Sequence, residues 1–153
     1  MKTVSQFVRE HTLFNGMPSE QVDFIAGCGQ LRRFAKGDYL AQENDAAEFF
    51  YLIIEGRVVI ETHQLHGSAT PLLTVNANEL VNWSWLIPPY RHRFDARALT
   101  ALRTVALNGT CIRKKCDIDP KLGFDLLRRL SAVIISSLHN AQFQLLDVYS
   151  THS

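Results

Sequence analysis

The sequence predicts a mostly β domain with flanking helices, its short strands closing into one sandwich or barrel. Three observations carry this. From Gln30 onward apolar and polar residues alternate with a period of two, in short runs divided by turn residues at the roughly 8 to 12 residue spacing of all-β folds. Before that, Val4, Phe7, Val8 and His11 fall at helical intervals. After Asp119-Pro120 an apolar seam repeats at alternating intervals of four and three, the signature of a long packed helix.

The N-terminal segment holds two short helices. Asn15-Gly16 breaks the first, and Pro18 suits the first turn of a second that carries Val22, Phe24, Ile25 and Ala26 inward and ends at Gly27 or Gly29. Strands then follow over Leu31–Phe34 and Tyr39–Gln42, joined by the turn Lys36-Gly37-Asp38. A polar loop, Glu43-Asn44-Asp45, leads to the continuous apolar run Phe49–Ile54, which turns at Glu55-Gly56 into Arg57–Thr62. The loop Gln64–Ala69 precedes a strand at Thr70–Val75. Leu80–Ile87 is apolar and long enough for a turn or two of helix before Pro88-Pro89 stops it. In Phe94–Thr100 the residues Phe94, Ala96, Ala98 and Thr100 face one way and Asp95, Arg97 and Leu99 the other. Asn108-Gly109 is a two-residue hairpin signal, since both residues tolerate positive φ, and it predicts Arg103–Leu107 paired with Thr110–Arg113. These elements divide the chain into helices over 1–29, strands over 30–113 and a C-terminal helix over 119–149, within one compact domain.

That last helix starts with Asp119 as N-cap and Pro120 in the first helical position. Its seam is Leu127, Ser131, Ile134, Leu138, Ala141, Leu145 and Val148, three heptads long. A second stripe, Leu122, Leu126, Leu130 and Val133, is available to pack on the strands. One stripe suffices for docking, so two imply a partner helix.

Composition limits function. At 153 residues, 46% hydrophobic and 20% charged, the chain builds one core of useful size. A formal net charge of +1 argues against broad electrostatic binding to nucleic acid. No apolar run reaches the roughly 18 residues of a membrane span, and Met1–Gln6 lacks a secretion signal pattern, so a cytoplasmic protein is expected. Cys28, Cys111 and Cys116 are odd in number and form no paired CxxC, which indicates neither a disulfide framework nor a zinc site; they are read as small core side chains. His63 and His66 make an HxxH without helical spacing or an accompanying carboxylate, and no nucleophile elbow or separated carboxylate pair stands out. No catalytic residue, metal or cofactor is expected. The clusters Arg32-Arg33, Arg113-Lys114-Lys115 and Arg128-Arg129 read as solvated faces.

The chemistry concentrates between Asn76 and Thr100, which holds both tryptophans, two prolines and Arg91, Arg93 and Arg97. A short helix followed by a basic loop would bring helix N–H groups near Arg91 and Arg93 as an anion cradle. The alternative is that Trp83 and Trp85 are core and the arginines a rim. Trp83, Trp85 and Tyr90 could equally form a stacking face for a flat ligand.

The run FAKGDYLAQENDAAEFFYLIIEGRVVI, Phe34–Ile60, resembles the first half of a cyclic-nucleotide-binding domain, with its KGD-type turn, acidic loop and closing hairpin in that order. Arg129-Leu130-Ser131-Ala132 resembles the start of the long helix of the Crp/Fnr branch. The resemblance implies a double-stranded β-helix, or jelly-roll barrel, and a C-terminal helix that pairs in a parallel homodimer. It also implies a non-catalytic sensor that binds cyclic AMP, another cyclic nucleotide or a different phosphorylated or anionic ligand and signals to a separate effector protein. Its ligand cassette falls on Val81, Asn82, Trp83 and Ser84, then on Arg91, His92, Arg93 and Phe94. Asn82 takes the glycine position, which asparagine tolerates. Trp83 takes the position of the glutamate that accepts the ribose hydroxyl, and an indole only donates. Register leaves open which of Arg91, His92 and Arg93 meets the phosphate. The hydroxyl residues through which the long helix reaches the ligand in this family correspond to Ala141 and Gln142. No DNA-binding winged helix follows Val148, so direct DNA binding is not expected. The same fold without its ligand, as a dimeric protein-interaction module, is the alternative.

Overall fold

A computed structural model describes residues 1–64 and 67–151. Helix α1 spans Val4–Glu10 and is closed by a capping box between Thr3 and Gln6. A single 3-10 turn, Thr12–Phe14, leads to α2, Ser19–Ala26, with Pro18 as its N-cap residue. The strands are β1 Gly29–Phe34, β2 Tyr39–Ala41, β3 Phe49–Glu55, β4 Val58–Thr62, β5 Thr70–Val75, β6 Leu80–Val81, β7 Asp95–Ala98 and β8 Leu102–Asn108. Helix α3, Gly109–Ile118, and the long α4, Pro120–Thr151, complete the chain.

Two four-stranded antiparallel sheets face each other, in the orders β1-β8-β3-β6 and β2-β7-β4-β5, which is a jelly roll. Leu40, Tyr51, Ile53, Val58, Val81, Ala96 and Leu102 pack between the sheets. A second core lies where the helices cover the outside of the first sheet, joining Phe50, Leu52, Val105 and Leu107 to Phe14, Ile25, Ile112 and Leu126. Strand β3 therefore has both faces covered, which is why Phe49–Ile54 reads as a continuous apolar run rather than an alternating one.

Leu122, Leu126 and Leu130 are buried in the helical core, as the second stripe predicted, with Val133 packed against it. Beyond them α4 leaves the domain: from Leu138 to Ser150 every residue is exposed. At about 1.5 Å per residue the 32-residue helix is about 48 Å long. Among the described residues no helix is long and apolar enough to cross a membrane.

Three expectations are overturned. Asn108-Gly109 is not a hairpin: β8 ends there and Thr110–Arg113 lies in α3. The Asn108 side chain caps α3 by accepting from the Cys111 amide at 2.9 Å. A Cβ on Gly109 would lie 2.8 Å from Cβ of Trp85, so glycine serves close packing there. Second, Leu80–Ile87 is not helical, because Leu80 and Val81 pair with Leu52 and Tyr51, and Asn82 then takes φ +82°. Third, Cys28 and Cys111 are disulfide-bonded, their Cα atoms 5.6 Å apart. Cys28 precedes β1 and its carbonyl accepts from the Asn108 amide, so the β1–β8 ladder creates a proximity that a spacing of 83 residues hides. Cys116 is the free thiol.

The basic clusters are also more than solvated faces. Arg113 donates to the Trp85 carbonyl, Lys115 to Phe24 O at 2.6 Å, and Arg129 to Leu13 O and Asn15 O at 3.0 and 2.7 Å. Each ties α3 or α4 to a carbonyl of another segment: the turn at Trp85, the end of α2, or the 3-10 turn and the residue after it.

Candidate ligand site

Past β6 the chain cannot continue in the sheet, because Asn82 is left-handed. It crosses open ground through Trp83 and Ser84 and returns at β7. The gap between this crossing and strands β4 and β5 is a cavity of about 200 Å³. Val81, Asn82, Trp83, Ser84, Arg93 and Phe94 line it, six of the eight residues assigned to ligand binding from the sequence. Ile60, Leu72, Leu73, Val75 and Leu80 complete the wall.

Arg91 and His92 are elsewhere. The Arg91 backbone bridges Ala46, and its guanidinium donates to Asn44 O at 2.8 Å. His92 donates its amide to Asp45 O at 3.0 Å and accepts from the Asn44 amide at 2.9 Å. Both residues are thus stitched to the acidic loop. His92 is 7% exposed and lines a separate polar pocket of about 260 Å³, together with Arg32, Asp45, Glu48 and Tyr51. Tyr51 and Arg32 are 3.4 Å apart there, and burial raises the Tyr51 pKa against the pull of that guanidinium. Within the register left open from the sequence, Arg93 is the residue that lines the cassette cavity.

The stacking face of three aromatics does not form. Trp83 lines the cavity, but Trp85 is stacked on Phe50 at 4.5 Å in the helical core, and Tyr90 lies under the Arg113 guanidinium at 4.0 Å. The helix N-terminus expected beside the arginines is absent with the helix itself. Glu79 accepts from the Asn76 amide at 3.0 Å, closing a turn, and does not line the cavity.

The cavity wall is chemically one-sided. Apolar side chains dominate, Arg93 is its cation, and no carboxylate lines it. Leu72 and Leu73 on β5 are 42% and 46% exposed although both are leucine. Ile60 pairs with Leu73 and Glu61 with Pro71, so the register slips at Leu72 and turns both leucines toward the open side. Adjacent leucines in a short strand were the available signal for these residues.

Other polar groups near the expected motifs are paired. Asp95, 6% exposed, accepts from the Glu43 amide at 2.7 Å and meets Nδ1 of His63 at 2.7 Å. Arg97 pairs with buried Glu61 at 3.0 Å, an arrangement that raises the Arg97 pKa. His66, the other half of the HxxH, lies outside the described residues. Among the described residues no cluster of His, Cys, Asp or Glu could hold a metal.

Two buried histidines set an acid limit. Burial lowers the pKa of His92, with Asp45 partly opposing, and lowers that of His11, with the Glu79 carbonyl partly opposing. The unfolded state therefore takes up these protons first, and stability rises with pH over the range. Stability should be level above the ordinary value of 6.5 and fall as pH drops from there toward the lowered folded values. Thermal melts from pH 8 to about pH 5 check this. His92→Gln should flatten the slope, and an unchanged slope would exclude His92 as a source.

The model of the cyclic nucleotide-binding domain matches residues 31–119. Among solved structures, a candidate cyclic nucleotide-binding protein of Geobacter metallireducens superposes with a TM-score of 0.80 at 26% identity, over 91% of this chain and 100% of that one. A cyclic nucleotide-binding domain of Methylobacillus flagellatus gives 0.79 at 18% identity, over 94% of this chain and 80% of that one. The catabolite activator protein of Thermus thermophilus gives 0.70 at 24% identity, over 90% of this chain and 62% of its own length. The last two speak for the fold alone. No curated protein sequence matches the chain.

Proposed function

Because the chain belongs to the cyclic nucleotide-binding domain family, we propose that it is a non-catalytic regulatory module that binds a small anionic ligand at Arg93 and signals through a homodimer of α4. The observation that carries the ligand half is Arg93 itself. It lines the cassette cavity and, among the described residues, takes no ion pair or hydrogen bond. An exposed cation left unpaired at the edge of an apolar cavity is available to an anionic ligand through a charge-assisted pair. Cyclic AMP and cyclic GMP are the first ligands to try. Titration calorimetry should show that Arg93→Ala weakens binding about 10- to 100-fold, while Arg91→Ala leaves it unchanged. Loss with Arg91 rather than Arg93 would move the site to the acidic loop.

The dimer half rests on α4. Leu127, Leu138 and Leu145 are about half exposed, Ser131 and Ile134 are half-buried, and Ala141 and Val148 are exposed on the same seam. Phe143 and Leu146 add exposed apolar surface alongside. In this reading the stripe on the projecting helix is covered by a second copy, in the parallel pairing that the resemblance to the Crp/Fnr branch implies. Light scattering at micromolar concentration should give the mass of two 17.4 kDa chains. Leu138→Asp should return it to one chain, and an unchanged mass would show that the seam is not the interface.

In this reading the output passes to a separate effector protein in the cytoplasm. A dimeric interaction module without ligand is the second reading, favoured by Trp83 standing where the ribose acceptor is expected.

A further inference from the structure

We infer that the cavity selects a small aromatic carboxylate rather than a cyclic nucleotide. This rests on the reading that Arg93 and its cavity bind an anion, and it names the anion's class. Size comes first. An apolar cavity of about 150 Å³ holds one benzene ring, and the cavity here is about 200 Å³. It has room for one ring and a short acidic arm; base, ribose and phosphate together would spill from its open side.

Polarity points the same way. A carboxylate is the strongest acceptor for a ribose hydroxyl, and none lines the wall, where Asn82 and Ser84 are the neutral polar side chains. A cyclic phosphate would have Arg93 alone, since the segment that follows β6 is not a helix whose amides could add to the guanidinium. One guanidinium matches the two oxygens of a carboxylate in a bidentate pair. The remaining surface favours a flat apolar body: Trp83 and Phe94 present rings, and Leu73, Val75 and Val81 complete the slot. Leu72, Leu73 and Phe94 are more than 40% exposed, so the same apolar surface continues to the open side.

The experiment is calorimetry on the full chain, with Trp fluorescence in parallel because Trp83 lines the cavity. The probes are phenylacetate, its neutral analogue phenylacetamide, hexanoate and cyclic AMP. Phenylacetate should saturate a single site, with phenylacetamide and hexanoate each at least about tenfold weaker. Arg93→Gln should weaken phenylacetate about 10- to 100-fold while changing phenylacetamide little. Leu73→Trp, at an exposed position, should block both without lowering the melting temperature, which guards against misfolding of the arginine variant. Cyclic AMP binding that depends on Arg93, with phenylacetate inert, would overturn the ligand class and leave the anion site standing. Tighter hexanoate than phenylacetate, or phenylacetate binding unchanged in Arg93→Gln, would overturn the aromatic carboxylate. Silence from every probe would remove the anion site as well.

Discussion

Trp85→Ala should lower the unfolding free energy by about 3–5 kcal/mol, the range for removing a large buried aromatic. Trp85 is 1% exposed, stacked on Phe50 with an interplanar angle of 10°, and its Cβ fills the space that Gly109 leaves. Its carbonyl is held by Arg113 of α3. The side chain thus joins the cassette segment, β3 and the start of α3. At about 2–4 °C per kcal/mol for a domain of this size, the melting temperature should fall by about 6–20 °C. Trp83→Ala should cost much less, because Trp83 is partly exposed beside the cavity. Urea unfolding of both variants checks the contrast. A Trp85 cost below about 1 kcal/mol, or a larger cost at Trp83, would contradict the core role.

Removing the Cys28–Cys111 bond should rank with this. The bond joins residues separated by 83 positions, and loop-closure entropy for such a span gives about 4–5 kcal/mol in the chain-entropy model. Cys28→Ser with Cys111→Ser, or reductant on the unaltered protein, should lower stability by a similar amount. The residual thiol, Cys116, has its pKa raised by burial and by Asp117 and Asp119, so it is a poor nucleophile for exchange at neutral pH. Melting temperatures with and without reductant measure that contribution directly. No difference between the two conditions would show that the bond contributes nothing to stability.

The site was legible in part, for identifiable reasons. Val81, Asn82, Trp83 and Ser84 form a short local stretch, and a local stretch stays together when the chain folds. Asn82 was expected to accept left-handed geometry and has it. Among Arg91, His92 and Arg93, one residue of register decides which way each points, and alternation supplies no origin for the count. Hydrogen bonds from the acidic loop to Tyr90, Arg91 and His92 set that origin, and they link residues more than forty positions apart. Ile60, Leu72 and Leu73 were missed because they belong to strands read as ordinary sheet, and the register slip at Leu72 depends on its partner strand. Asn108-Gly109 misled because one dipeptide suits both a tight hairpin and a helix cap; the crowding by Trp85 decided between them.

By itself the sequence determined the period of most segments, hence two short helices, a run of strands and a long terminal helix with two stripes, but it misread Leu80–Ile87 as helix and Thr110–Arg113 as strand. Periodicity is a local property, since each side chain's direction follows from its neighbours' backbone angles. Only the tertiary structure decided which faces are covered, which thiols meet and which arginine is left for a ligand. Those outcomes depend on contacts between residues far apart in the chain, such as Cys28 with Cys111 and Asn44 with Arg91. They exist only once the two sheets and the helices have closed on each other.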